Sequence, residues 1–474
     1  MLTPTSPLET LHTWLGSAQR SALFQAVPGA GKTTVLEKLS PEFPAGSVTV
    51  AFSKEIKREF EKRVQGRCLT VHGLGYALLR DLKGSTQFDP HKSMRLARAI
   101  CGDSPAETER AVTLVRAADL NQLNLGGLDL NWLLPDGETQ DFVRAHIEAY
   151  QSAAFEDFKA SGRVSFTEMV YLPALLCKGK RFPLIAVDEA QDLSRAALRL
   201  ITTVGERLLF CGDAYQSIFG FAGADPDTLQ SVSRHAGTQT ESVVSRRCPQ
   251  EIIALAKRLH PDIEAHPCTP GGLVRYLEED EALESAAPGE LVLSRNTAPL
   301  LRACLSLRAQ GRVAYIRGVT LGEELLKLTR SLPQFWSCPR TALANETALV
   351  HEQSSDGTPD ARSLDRLSIL NHIVATGATS ESALRAGLAG QDLPTPGAVQ
   401  LSSLHRAKGL ESEHVTLIGL GRAERASPHP QECIQERNLK YVGVTRVRGA
   451  VGAGRLTVAA SREDALTWLT ATPT

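Results

Sequence analysis

Two regimes of hydrophobic patterning alternate along the chain. Short apolar runs that end in small or charged residues are followed by longer segments with apolar residues at helical spacing. ALFQAV from Ala22 meets the turn PGAGKTT and then VLEKL, a strand, a loop and a helix. SVTVAFS from Ser47 reads as a second strand, and KEIKREFEKRV from Lys54 as a charged amphipathic helix. Such alternation predicts a parallel sheet flanked by helices.

From Lys92 to Phe182 the spacing is helical, as in ERAVTLVRAADL and QDFVRAHIEAYQSAAFEDF, with no strand signal, so this stretch reads as an insertion. Strand character resumes in FPLIAVDEA and RLLFCGDAY. A second strand series, LVRYL, ELVLSR, VAYIRG, AVQLSSL and HVTLIGL, predicts another α/β domain, interrupted by a polar helical segment between Gly322 and Pro396. The predicted domains are 1–90 with 183–265, a helical insertion at 91–182, a second sheet domain at 266–320 with 397–474, and a small helical insertion at 321–396.

Composition narrows the class without choosing a function. The chain has 474 residues, 42% of them hydrophobic and 22% charged, which suits a globular protein of several domains. No apolar stretch is long enough for a membrane helix, and the first thirty residues lack a basic start with an apolar run, so the expected location is the cytoplasm with no membrane partner. The nine cysteines are scattered without a C-x-x-C pair, which argues against structural zinc, an iron–sulfur cluster and a disulfide framework. A net charge of -1 does not advertise a nucleic-acid partner and leaves a local basic groove open.

The candidate chemistry begins at Ala26. Ala26, Pro28, Gly29, Ala30, Gly31, Lys32, Thr33 and Thr34 fit the phosphate-loop form, with Ala26 where the first glycine often stands. Backbone N–H groups of such a loop wrap phosphate at a helix N-terminus, the Lys32 ammonium reaches the β and γ oxygens, and the Thr33 hydroxyl holds Mg²⁺. LIAVDEAQD at Leu184 adds a buried strand ending in adjacent carboxylates, Asp188 for Mg²⁺ and Glu189 to polarise the attacking water. The plainer alternative is that Glu189 and Asp192 cap the next helix.

DEAQD and the segments after it resemble superfamily 1 helicases of the UvrD/Rep/PcrA type, and more closely the F-box DNA helicase branch, from Ala26 to about Val458. The resemblance implies two RecA-like P-loop NTPase domains in tandem, each with a mainly helical insertion. In GDAYQSIFGFAGAD, Gln216 would sense the γ-phosphate while Phe219 and Phe221 contact bases. VVSRRCPQEI places Arg247 as an arginine finger, and QERNLKYVGVTRV places Arg446 as a second. VQLSSLHRAKGLESEHVTLIG aligns His405, Lys408, Gly409 and Glu411, with His405 at DNA and Glu411 at nucleotide. VAFSK and TVHGLG match early DNA-contacting motifs through Phe52, Thr70 and His72, and VSFTEM resembles a further element before the carboxylate-bearing strand at Leu184.

The resemblance implies an ATP-dependent translocase and helicase on single-stranded DNA and its duplex junctions, with 3′-to-5′ polarity and a nuclease or repair protein as an expected partner; alone it would be a monomer. Arginines from the later motifs would reach the γ-phosphate across a cleft, and aromatic rings suit a motor that tracks DNA without reading it, since stacking is worth ~1–3 kcal/mol per base whatever the sequence. Core packing is the competing role for Phe52, Phe219 and Phe221, and a structural role for His72 and His405. Departures from the family pattern are equally specific. The adenine-reading Gln position falls near Leu11, the nearest Gln being Gln19, and Arg246 stands where an aromatic would stack on the base, a place it could fill by cation–π contact. Ala222 replaces an arginine, Ser412 an aromatic, and the second insertion is short. One rival is a DNA-stimulated ATPase acting as a sensor or regulatory subunit beside a nuclease, with weak unwinding alone. The other is a P-loop kinase or small-molecule NTPase, whose rate DNA would leave unchanged.

Overall fold

The computed structural model describes residues 6–127, 129, 133–134, 136–332, 334–352, 361–388, 395–420, 430–449 and 454–470. The chain divides into two compact units, Met1–Val243 and Val244–Thr474. Each is an α/β unit built on a six-stranded, wholly parallel sheet.

In the first unit the main-sheet strands are β1 (Ser21–Ala26), β2 (Val48–Ala51), β3 (Arg67–Thr70), β6 (Phe182–Val187), β7 (Gly205–Gly212) and β8 (Thr238–Ser242), while β4 (Gln87–Phe88) and β5 (Arg163–Val164) form a separate short pair. The order across the main sheet is β3-β2-β6-β7-β1-β8. Alternation along β1 sends Leu23 to one face and Ala22, Phe24 and Ala26 to the other, which is why the strand is apolar nearly throughout. Against the first face pack helices Val71–Leu82, Glu168–Leu176 and Arg195–Val204; against the second, Pro7–Leu15, Lys32–Leu39 and Phe60 of Lys54–Arg63.

Two expected boundaries move. Helix Glu168–Leu176 buries Val170 and Ala174 in the main-sheet core, so the helical insertion ends before it and not at 182. Its crossing with helix Val71–Leu82 is so close that a Cβ on Gly75 would sit 1.8 Å from the Met169 carbonyl oxygen. The two-unit division falls after Val243, not at 265, because β9 (Val244–Ser245) pairs with β10 (Glu264–Ala265) and helix Gln250–Ala256 packs on the second unit. The insertion also contains β5, where no strand was expected.

A buried ion pair ties the insertion to this core. Lys92 is 1% exposed, and its ammonium donates to Glu168 Oε1 at 2.9 Å, to Ala154 O at 2.8 Å and to Arg163 O at 2.9 Å. Lys92→Met leaves the Glu168 carboxylate buried without its cation, a change that costs about 3–5 kcal/mol. Thermal unfolding of the full chain should show a clear drop in midpoint for the first unit; an unchanged midpoint would remove the pair as a structural tie.

The second unit contains β11 (Leu273–Leu277), β12 (Leu291–Ser294), β13 (Ala314–Ile316), β14 (Val399–Ser403), β15 (His414–Leu417) and β16 (Arg455–Ala459), ordered β11-β16-β15-β12-β14-β13. Four helices between Leu321 and Leu388 form its insertion, which shares a continuous apolar core with helix Thr297–Ala309. No helix among the described residues is long and apolar enough to cross a membrane.

Candidate nucleotide and nucleic-acid sites

The carboxyl ends of the adjacent strands β6, β7 and β1 gather the candidate phosphate-site residues, the general position for ligands on open parallel sheets. The loop after β1 turns through Gly29 (φ 76°) and Gly31 (φ 96°), left-handed conformations that glycine adopts without strain. Lys32 opens the following helix, is 9% exposed, and its ammonium donates to Ala26 O at 2.8 Å. Thr33 is half-buried beside it and Thr34 exposed.

Asp188 and Glu189 follow β6 directly, with Asp188 N donating to Val50 O at 3.0 Å. Glu189 has φ 52° and ψ 45°, a left-handed backbone that a non-glycine residue adopts only under local constraint. The capping alternative fails, since helix Arg195–Val204 is capped by Ser194, whose hydroxyl accepts from Ala197 N at 3.1 Å. Cys211 in β7 reports how closely the charges converge. Its thiol is pushed well up by burial and by Asp188, against a smaller downward pull from Lys32, with Glu189 adding to the rise.

Gln216 lies in the single turn Ala214–Gln216 after β7, 3% exposed, and donates from Nε2 to Asp213 Oδ2 at 2.6 Å. The same turn runs on into aromatic surface. Phe219 stacks on Phe52, which follows β2, with centroids 4.9 Å apart, and Phe221 tilts against Phe219 at 6.0 Å. Phe52 is 37% and Phe221 51% exposed, so the core alternative is overturned for both, and Phe219 is only half-buried.

His72 stacks on Phe166 with centroids 3.7 Å apart, and Phe166 is 57% exposed. Burial lowers the His72 pKa to about 4, so the ring is neutral at physiological pH. Thr70 caps the helix that bears His72, its hydroxyl accepting from Gly73 N at 3.0 Å. Phe166 was given no role from sequence; its exposed position after β5 is what marks it.

The position of the family's adenine-reading Gln and the Gln nearest to it both have other partners in the structure. Leu11 is fully buried in the apolar cluster beneath helix Lys32–Leu39. Gln19 accepts from the Thr238 hydroxyl at the amino end of β8, the end of the sheet opposite the phosphate loop.

In the second unit the later motifs converge. Arg247 donates from Nη1 to Glu411 Oε2 at 3.1 Å and from Nη2 to Thr445 O at 3.1 Å, while Arg448 Nη1 approaches Glu411 Oε1 at 3.4 Å. Arg446 is 1% exposed; its Nε donates to Val442 O at 2.9 Å, Nη1 to Leu410 O at 3.3 Å and Nη2 to Thr445 Oγ1 at 3.4 Å. Arg246 is exposed next to this group. Glu411 thus bridges two arginines, an arrangement that sequence order does not display.

His405 stands apart from that group, in the wall of a polar cavity of about 350 Å³ at the carboxyl ends of β12, β13 and β14. Arg295, Asn296, Arg317, Ser403 and Arg406 share the wall. Burial, with Arg295 adding to it, lowers the His405 pKa to about 4. Arg295 is oriented by Glu436 at 2.6 Å, and Arg406 donates to Gly318 O at 2.6 Å. Sequence reasoning passed over these arginines, although each of Arg295 and Arg317 directly follows an apolar strand.

A parallel sheet with a glycine-turned phosphate loop, a lysine at the helix start and a carboxylate pair one strand removed, at the end of β6, defines the first unit as that of a P-loop nucleoside triphosphatase. The UvrD/REP helicase N-terminal domain matches residues 13–237 and the UvrD-like helicase C-terminal domain residues 343–451. The chain belongs to the UvrD-like helicase family, of the UvrD/PcrA type. It is 25% identical over 325 residues to ATP-dependent DNA helicase UvrD2 of Mycobacterium tuberculosis, covering 56% of this chain and 46% of the relative. With ATP-dependent DNA helicase PcrA of Leuconostoc citreum it shares 23% identity over 273 residues, covering 47% of this chain and 35% of that one. The chain therefore spans about half or less of these relatives' length. Among solved structures, the arterivirus nonstructural protein 10 helicase aligns with a TM-score of 0.36 at 13% identity, covering 97% of this chain and 63% of that one. Its complex with DNA aligns with a TM-score of 0.37 at 14% identity, covering 97% and 65%.

Proposed function

We propose that the chain is an ATP-dependent translocase on single-stranded DNA that separates strands, moving 3′-to-5′. The observation that carries this reading is the turn after β7, where Gln216 lies buried at the phosphate end of the sheet and Phe219, three residues on, stacks with Phe52 at an exposed aromatic surface. A change at phosphate that moves Gln216 moves this aromatic surface with it.

In the proposed cycle the phosphate loop binds ATP through backbone N–H groups and Lys32. The donor set fits Mg²⁺ carried by the nucleotide: Thr33 supplies a hydroxyl and Asp188 a carboxylate, and Mg²⁺ bound to phosphates needs few protein ligands. When bound, Mg²⁺ supplies charge neutralisation at the phosphates. Glu189 orients and polarises the attacking water, Gln216 contacts the γ-phosphate, and Arg247 and Arg446 stabilise charge in the transition state. Phe52, Phe219, Phe221, Phe166 and His72 offer π-faces to bases, while Arg295, Arg317 and Arg406 suit the phosphate backbone.

Steady-state ATP hydrolysis with and without single-stranded DNA, alongside strand displacement on 3′-tailed and 5′-tailed duplexes, tests the proposal. DNA-stimulated hydrolysis and displacement of the 3′-tailed substrate are expected. Stimulation without displacement would favour a sensor ATPase that acts beside a nuclease, a reading the short second insertion supports; hydrolysis indifferent to DNA would remove the motor altogether.

A further inference from the structure

We infer that Gln191 is a positioning residue that locks Glu189 to the Gln216 turn through Asp213, so that the carboxylate and the phosphate-contacting amide are set as one unit. The inference rests on the nucleotide site proposed above and assigns a role to a residue that the site's own chemistry does not name.

Gln191 is 2% exposed and sits in the single turn Ala190–Asp192 that follows β6 and Glu189. Its side chain reaches across to the next strand. Oε1 accepts from the Asp213 backbone N–H at 2.9 Å, and Nε2 donates to Glu189 Oε2. The orientation of the amide is unambiguous, because a backbone N–H can only donate and an ionised carboxylate can only accept. Asp213 continues the chain of contacts: its Oδ1 accepts from Tyr215 N at 3.0 Å and its Oδ2 from Gln216 Nε2 at 2.6 Å. The Ser217 hydroxyl donates back to the Gln191 carbonyl at 3.4 Å, closing the loop.

Two further features show that the bridge shapes its surroundings. A Cβ on Gly212 would stand 2.8 Å from Gln191 Oε1, so the end of β7 must be glycine for the amide to lie across it. Glu189 has a left-handed backbone held by local constraint, and the Gln191 amide donates to its carboxylate directly. β6 and β7 are neighbours in the sheet, which gives the bridge a rigid base on both sides. Gln191 need touch neither phosphate nor water to act in this way. Its effect is to hold Glu189 in register with Gln216, and through the same turn with Phe219.

The test uses the full chain and ATP hydrolysis with and without a deoxythymidine oligomer. Gln191→Met keeps the side-chain length and removes both hydrogen bonds; it should lower kcat by about tenfold to a hundredfold while KM for ATP stays within about twofold, the pattern of an interaction realised in the transition state. In the double variant with Gln216→Met, kcat should be about that of the slower single variant, since residues acting as one unit are non-additive. Losses that multiply, or a Gln191→Met variant with normal kcat, would overturn the inference. Gln191→Asn keeps an amide but is one methylene too short to span from Glu189 to the Asp213 N–H; it should fold and show the same kcat loss, and normal turnover in it would overturn the inference even if Gln191→Met were unstable. A wild-type chain whose hydrolysis ignores DNA would count against the motor reading alone, because basal kcat in the Gln191 variants still reads the bridge.

Discussion

Arg446→Ala should lower kcat for ATP hydrolysis by about a thousandfold or more, with KM for ATP little changed, the effect expected of a guanidinium that meets charge developing on the transferred phosphoryl group. The side chain is suited to that task by its anchoring. Three contacts, to Val442 O, Leu410 O and Thr445 Oγ1, fix the guanidinium before any reaction, so little conformational freedom is lost when it acts. Truncation also strips donors from two carbonyl oxygens, and a melting curve of the same variant separates that cost from catalysis. Arg446→Lys should keep the charge and still fail to restore the rate, because an ammonium cannot reproduce the planar fork. A pure KM effect in either variant would demote Arg446 to ground-state binding.

Lys32→Ala should reduce ATP hydrolysis by about a hundredfold to a thousandfold, the typical price of removing one preorganised donor to a developing charge. DNA binding without nucleotide should persist, since Phe52, Phe219 and Phe221 stand on other elements. Lys32 is buried at the start of its helix, and its ammonium is held over the loop by Ala26 O, ready to reach phosphate oxygens. The preceding Gly31 is left-handed, which lets the chain turn sharply enough to bring that lysine back over the loop. Hydrolysis at the normal rate in Lys32→Ala would sink the phosphate-site assignment, and parallel loss of DNA binding would indicate that the first unit had not folded.

Much of the nucleotide site was legible in one dimension. The phosphate loop and the Asp188–Glu189 pair are contiguous segments flanked by apolar strands, so their order along the chain already carries the geometry. The short strands were harder. β3 and β8 hold polar or half-exposed residues at the sheet edges, and β5 is two residues long, so none shows the apolar run by which β1, β2 and β6 declare themselves. The C-terminal end of the insertion is not legible in the sequence because Glu168–Leu176 reads as one more helix in a helical stretch. Only its burial of Val170 and Ala174 against the main sheet assigns it to the core.

The linear order of residues is enough for the class of chemistry proposed: a phosphate loop beside paired carboxylates, on two parallel-sheet units. That follows because phosphate recognition uses consecutive N–H groups and needs a particular local turn, which a few adjacent residues can specify. Tertiary structure alone decided which distant residues cooperate. The order β3-β2-β6-β7-β1-β8 puts β7 between β6 and β1, so Gln191 can bridge Glu189 and Asp213, and Phe219 can stack on Phe52. Likewise Glu411 joins Arg247 and Arg448, and His405 shares a cavity with Arg295, Arg317 and Arg406. Hydrogen bonds and stacking act over a few ångströms of space, whereas most of these partners lie tens of residues or more apart along the chain, and only strand order brings them within reach.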